Sequence, residues 1–160
     1  MKNFILFKTA CNQKIGFGHL KRCINFSKQF SKNTLIYFLI NENNTVKKIL
    51  YYSKIKNIFF FKNYSQKLDS KFLQKFSKYK KIMIHDSYKL KQKMIDRDLK
   101  VFDKVGYIDD IGKNFISDFV INYSIEKNKY KYRSKKFFLG KKYLPLQNLD
   151  LKKKKSIQSY

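Results

Sequence analysis

A chain of 160 residues with 43% apolar and 18% aromatic side chains is enough for one domain with a real core, and it excludes a disordered class. No run reaches the ~20 apolar residues of a membrane-spanning helix, and the apolar stretch after Met1-Lys2-Asn3 is too short for a secretion signal. A cytoplasmic protein that makes no membrane contact is expected. The net charge of +26 points first to nucleic acid, because basic surfaces neutralise phosphates and release counterions.

In chain order, Phe4 to Thr9 reads as a fully buried first strand, followed by a loop from Ala10 to Ile15 and the glycines Gly16 and Gly18. From Phe17 to about Ser31, the apolar residues Leu20, Cys23, Ile24, Phe26 and Phe30 form a helical stripe. Thr34 to Ile40 is a second strand, Asn43 to Tyr52 a helix, and Asn57 to Phe61 a short third strand. Ser65 to Tyr79 carries Leu68, Phe72, Leu73 and Phe76 at helical spacing. Lys81 to Asp86, Lys104 to Asp110, Asp118 to Asn122 and Phe137 to Leu139 read as further strands, with a helix over Leu90 to Lys100. Continuous apolar strands alternating with helices predict a parallel sheet covered on both faces, a Rossmann-like α/β domain.

The charge is carried almost wholly by lysine, since Arg22, Arg97 and Arg133 are the only arginines, and the lysines run along the whole chain rather than one helix. With one alanine (Ala10) and one proline (Pro145), the residue set is the one AT-rich codons encode. Codon composition therefore accounts for much of the lysine, and no specific nucleic-acid partner is expected. Cys11 and Cys23 are read as a reduced pair, too few for a disulfide framework.

Ligands of such sheets sit beyond the carboxyl ends of the strands. Three polar clusters fall there: Gly16-Phe17-Gly18-His19, His85-Asp86-Ser87-Tyr88, and Asp109-Asp110. The glycines allow a tight turn and close backbone approach to a ligand. His19 opens a helix whose positive end favours anions, which suits a general base; the alternative is a histidine that caps or packs. The loop is no dinucleotide fingerprint, because the third glycine is missing and Arg22 follows. Asp86 and Tyr88 could clamp substrate hydroxyl or amide groups, or else cap the following helix and pack. His85 is expected to point to the other side of its strand. Asp109 and Asp110 alternate in direction and no histidine follows at ligand spacing, so no metal or other cofactor is expected. A Cys11–His19 nucleophile and base would lack an orienting third residue.

Ile15-Gly16-Phe17-Gly18-His19-Leu20-Lys21-Arg22-Cys23 resembles the Ile-Gly-x-Gly-His-x-x-Arg-Cys signature of the UDP-2,4-diacetamido-2,4,6-trideoxy-β-L-altropyranose hydrolases of pseudaminic acid biosynthesis. The resemblance continues in order through Asp86-Ser87-Tyr88, Ile108-Asp109-Asp110, Asp118 to Asn122, Leu139-Gly140 and Tyr143 to Leu146. The chain departs from the family pattern at Lys8 and Ala10, where arginine and an acid are usual, and at Gln147, where arginine is usual. The resemblance implies half of a glycosyltransferase-B-like fold in which the glycine-loop histidine activates water to displace UDP with inversion, without a metal. It assigns His19 as general base, and Gly16, Phe17, Gly18, Arg22, Asp86, Tyr88 and Asp109 to the substrate site. The domain expected is 1–147, with 148–160 a basic tail or truncated linker, and the carboxy-terminal UDP-binding domain is expected to be absent. The expected partners are a UDP-sugar and a separate second half or a second copy of the chain. Two alternatives stay open: half of a glycosyltransferase of similar architecture, and a non-catalytic remnant or binding half.

Overall fold

The computed structural model describes residues 2–12, 16–123 and 131–143. Ile15, the segment 144–146, Gln147 and the basic tail, all named above, lie outside the described residues.

Seven strands form one all-parallel sheet: β1 (Asn3–Thr9), β2 (Thr34–Asn41), β3 (Ile58–Phe61), β4 (Lys80–Asp86), β5 (Lys104–Ile108), β6 (Phe119–Asn122) and β7 (Lys136–Leu139). Their order is β3-β2-β1-β4-β5-β6-β7. The chain winds outward from β1 to β3, then crosses back to β4 and winds the other way. The carboxyl ends of β1 and β4 therefore flank a topological switch point, where connections leave in opposite directions and open a crevice. This is a Rossmann-like α/β fold, as the alternation of elements predicts.

The period-two geometry of strands divides the apolar residues between two faces. Ile5, Phe7, Phe38, Ile40 and Ile84 pack under α1 (Gly18–Ser27) and α2 (Asn44–Tyr52). Phe4, Leu6, Leu39, Met83 and Val105 pack on the other side, with α3 (Ser70–Gln74) and α4 (Gln92–Asp98). Both faces are covered, which is why the strands read as unbroken apolar runs rather than alternating ones.

Three helices are shorter than their stripes predict. The first ends at Ser27, whose hydroxyl back-bonds to Ile24 O at 2.7 Å. Over 65–79 only Ser70–Gln74 is α-helical. Asp69 caps Lys71 N at 2.9 Å and so starts the helix late, while Asn63 holds Ser65 and Gln66 in a turn. Beyond Gln74 the backbone tightens into i to i+3 bonds, such as Tyr79 N to Phe76 O at 3.0 Å. Leu68, Phe72 and Phe76 still reach the core from these turns. Spacing alone does not separate a helix from a run of turns that buries the same side chains. The third, α4, covers Gln92–Asp98 rather than 90–100, because Leu90 N is held in a turn on Ser87 O at 3.2 Å.

Gly106 on β5 faces Phe119 on β6. A Cβ placed there would lie 2.2–2.4 Å from three atoms of the Phe119 ring. Gly106→Ala is expected to destabilise the fold by about 1–3 kcal/mol through overpacking. In urea unfolding, Phe119→Leu in the same chain should recover part of that loss; strictly additive effects would show that the ring is not what the methyl meets.

Candidate active site

The crevice between β1 and β4 is built first from its loop. Asn41, at the end of β2, pins the start of that loop by accepting from Cys11 N at 2.8 Å and donating to Cys11 O at 2.7 Å. Gly16 N then closes back on Asn12 O at 2.8 Å, with Gly16 at a φ of 78° that favours glycine. Phe17 caps α1 without a side-chain hydrogen bond, so the first amides of the helix are left to other partners. Gly18 is exposed, and a Cβ on it would meet nothing within 4 Å. The fold does not demand a glycine there, and the open space lets a ligand approach the backbone.

One helical turn brings His19, Arg22 and Cys23 onto the side of α1 that faces Asp86 at the end of β4. His19 Nδ1 lies 2.7 Å from Asp86 Oδ1, and the Asp86 side chain is wholly buried. Arg22 grips both carboxylate oxygens, with Nε donating to Oδ2 at 2.8 Å and Nη2 donating to Oδ1. Its Nη1 donates to Asp110 Oδ2 at 3.0 Å and to the Tyr123 hydroxyl. Burial works against the guanidinium charge, but the Asp86 carboxylate and then Tyr123 outweigh it and hold the Arg22 pKa above its ordinary value. His19 Nδ1 also lies 3.0 Å from Arg22 Nη2; in the tautomer whose Nδ1–H donates to the carboxylate, Asp86 Oδ1 is its acceptor. The free lone pair of the neutral ring is then on Nε2. Tyr88 stands edge-on to the His19 ring at 4.6 Å between centroids and is half exposed. Lys113 Nζ donates to Tyr88 O at 2.7 Å and ties the loop after β5 to this position.

His19, Arg22, Asp86 and Tyr88, all singled out from sequence, therefore meet in one place. Asp86 stands behind His19 rather than open to a ligand. Asp109 is placed elsewhere: it is buried, accepts from the backbone of Gly112 and Lys113 at 2.8 and 3.1 Å, and takes the Tyr132 hydroxyl at 2.6 Å. It shapes its own loop, and its neighbour Asp110 is the acid that turns to the site. Tyr123 and Asn41 were missed in the sequence, and Asp110 was named only within its cluster, with the site role given to Asp109. The alternation of direction at Asp109-Asp110 is the signal that could have selected Asp110. Burial pushes the Cys11 thiol up to about 11, and burial with the Asp86 charge pushes Cys23 well up, so both are kept as thiols. Cys23 Sγ lies 3.5 Å from Asp86 Oδ2.

His85 faces the opposite side of the sheet, as expected. There its Nε2 lies 3.1 Å from Asp98 Oδ2 and its Nδ1 3.1 Å from the Tyr64 hydroxyl. Burial holds His85 below its ordinary pKa and therefore neutral. Asp98 stays ionised despite burial, through hydrogen bonds from His85 and from Arg97 at 2.7 and 3.0 Å. Lys8 is buried beside them, its Nζ donating to Gln66 O at 2.7 Å over the Tyr64 ring. Burial lowers its pKa to about 8, the nearby Asp98 charge offsetting part of the shift.

Among the described residues no three His, Cys, Asp or Glu side chains gather to hold a metal ion, and no helix is long and apolar enough to cross a membrane. Comparison of the chain with models of known protein families and with curated proteins finds no match.

Proposed function

We propose that this chain is the base-bearing half of a UDP-sugar hydrolase acting on a UDP-diacetamido-trideoxyhexose, in the manner of the family that its glycine-loop motif resembles. The observation that carries the reading is the Asp86–His19 pair, 2.7 Å apart, at the switch point of a parallel sheet and at the mouth of a glycine turn. Asp86 fixes the ring so that Nε2 is the proton acceptor. Water gives its proton to Nε2 while its oxygen attacks the anomeric carbon. The bond from that carbon to the diphosphate oxygen breaks, and UDP leaves with the electron pair. The proton on His19 is then lost to solvent, and the product is the free sugar of inverted configuration. Orientation and general-base action of this kind contribute about 10²–10⁴-fold to a rate. The first amides of α1 and the open space at Gly18 suit an anionic or amide-bearing substrate group. The reading expects a second Rossmann-like half, in this polypeptide or another, to grip the uridine diphosphate.

The glycosyltransferase alternative uses the same base on a sugar hydroxyl instead of water, and the product tells them apart. Following the reaction by proton NMR should show the free sugar appearing first as the inverted anomer. A glycoside, or a first-formed anomer of retained configuration, would refute the hydrolase mechanism.

A further inference from the structure

On the sheet face opposite His19, the short helices α3 and α4 leave a cavity of about 380 Å³. That volume lies within the range of roughly 300–1,000 Å³ seen for small-molecule pockets. Leu39, Met83, Leu73 and Phe102 give it an apolar lining. Lys8 also lines it, and is 1% exposed. The exposed lysines Lys67 and Lys100 stand at its rim.

The charges in this cavity do not balance. Asp98, its one acid, is already bonded to Arg97 and His85. The remaining Arg97 bond goes to Ser65 O at 2.6 Å. Lys8 Nζ, with three donors to satisfy, has one hydrogen bond among the described residues, to Gln66 O. A buried ammonium whose one nearby carboxylate, Asp98, is already bonded to Arg97 and His85 is costly, and an apolar side chain of similar length would fill the same space more stably. The lysine is thus explained by something that binds it.

We propose that this cavity is a binding site for a small organic monoanion, a carboxylate on an apolar body, with the carboxylate on Lys8 and the apolar part against Leu39, Met83, Leu73 and Phe102. One buried cation that shares its only nearby acid, Asp98, with Arg97 calls for one negative charge; a dianion would carry an unmatched charge into the same space. The rim lysines draw the anion in. This site is separate from the His19 crevice, and the inference does not rest on the hydrolase reading.

The test is calorimetric titration of the full chain with hexanoate, with acetate, hexanol and hexylammonium as controls. About 0.15 M salt should be present, where the Debye length is near 8 Å and scattered surface lysines are screened. Hexanoate should bind at one site, at least about tenfold more tightly than any of the controls, a difference of about 1.4 kcal/mol. Lys8→Met should abolish that binding while raising the thermal midpoint, a pairing that a merely structural lysine would not give. Leu39→Phe, which narrows the cavity and keeps every cation, should also weaken binding by about tenfold or more. It serves as the second test should the Lys8 variant fail to fold. Equal binding of acetate and hexanoate, or hexanoate binding that survives either substitution, would overturn the proposal.

Discussion

Asp86→Asn is expected to lower kcat roughly a thousandfold with little change in KM, and to destabilise the fold by about 3 kcal/mol. Both effects follow from the donors that converge on one buried carboxylate: His19 Nδ1, Arg22 Nε and Arg22 Nη2. An amide offers one oxygen and one NH₂ group. Whichever way it turns, at least one of these donors faces another donor. If the oxygen takes the Oδ2 position facing Arg22 Nε, the His19 ring and Arg22 Nη2 are met by the NH₂ group, and the ring is driven to the other tautomer, with its proton on Nε2 where the base must be empty. Arg22 keeps Asp110 and Tyr123, so the loss is smaller than for a wholly stranded charge. The double variant His19→Ala, Asp86→Asn should be no slower than His19→Ala alone, since Asp86 acts through the ring. A normal kcat in a folded Asp86→Asn variant would show that the pair plays no part in turnover.

The second large effect lies on the other face. Asp98→Asn leaves Arg97 without its carboxylate and removes the one negative charge beside Lys8 and His85, so a loss of about 3–5 kcal/mol is expected in urea unfolding. The same cluster sets a pH dependence. His85 is held below its ordinary value near 6.5, chiefly by burial among Tyr64, Lys8, Arg97 and Asp98. The unfolded chain therefore takes up this proton first. The stability contributed by the neutral ring is complete above pH 6.5 and is lost as the pH falls below it. Asp98 is held below its ordinary value near 3.8, so its contribution is complete above that pH and goes only in stronger acid. Between these windows the loss for His85 approaches about 1.4 kcal/mol per pH unit, until its folded pKa is reached. His85→Gln should remove this upper part of the acid sensitivity. An unchanged slope in that variant would contradict the assignment.

Most of the architecture was legible from the strands, because strands covered on both faces cannot hide. Phe4 to Phe7 and Ile82 to Ile84 are unbroken apolar runs, and the strands that hold them begin and end within a residue of where they were expected. Helix limits were less legible. Asp69 and the Ser27 hydroxyl end or delay helices through local hydrogen bonds that apolar spacing does not register. At the site, the glycine turn and His19 were visible because they lie together in the chain, and Asp86 because it ends a buried strand. What could not be read was pairing across distance. The partnership of His19 with Asp86 spans 67 residues, and that of Arg22 with Tyr123 spans 101. Strand order alone brings those ends together, and a sequence read locally places Asp86 on the substrate when its neighbours turn it to the histidine. Lys8 shows the same limit from the other side. On a strand it reads as a departure from a motif, whereas in the fold it is a buried cation at the bottom of a cavity.

The proposed role of His19, oriented by Asp86, is that of the base for hydrolysis of a UDP-sugar. It is tested most directly by following UDP release from the UDP-diacetamido-trideoxyaltrose substrate with the purified chain and with His19→Ala, alone and beside any second half. The native chain should release UDP, with a fall of at least about a hundredfold in the folded variant under the same conditions. Release that continues undiminished without His19 would contradict this role.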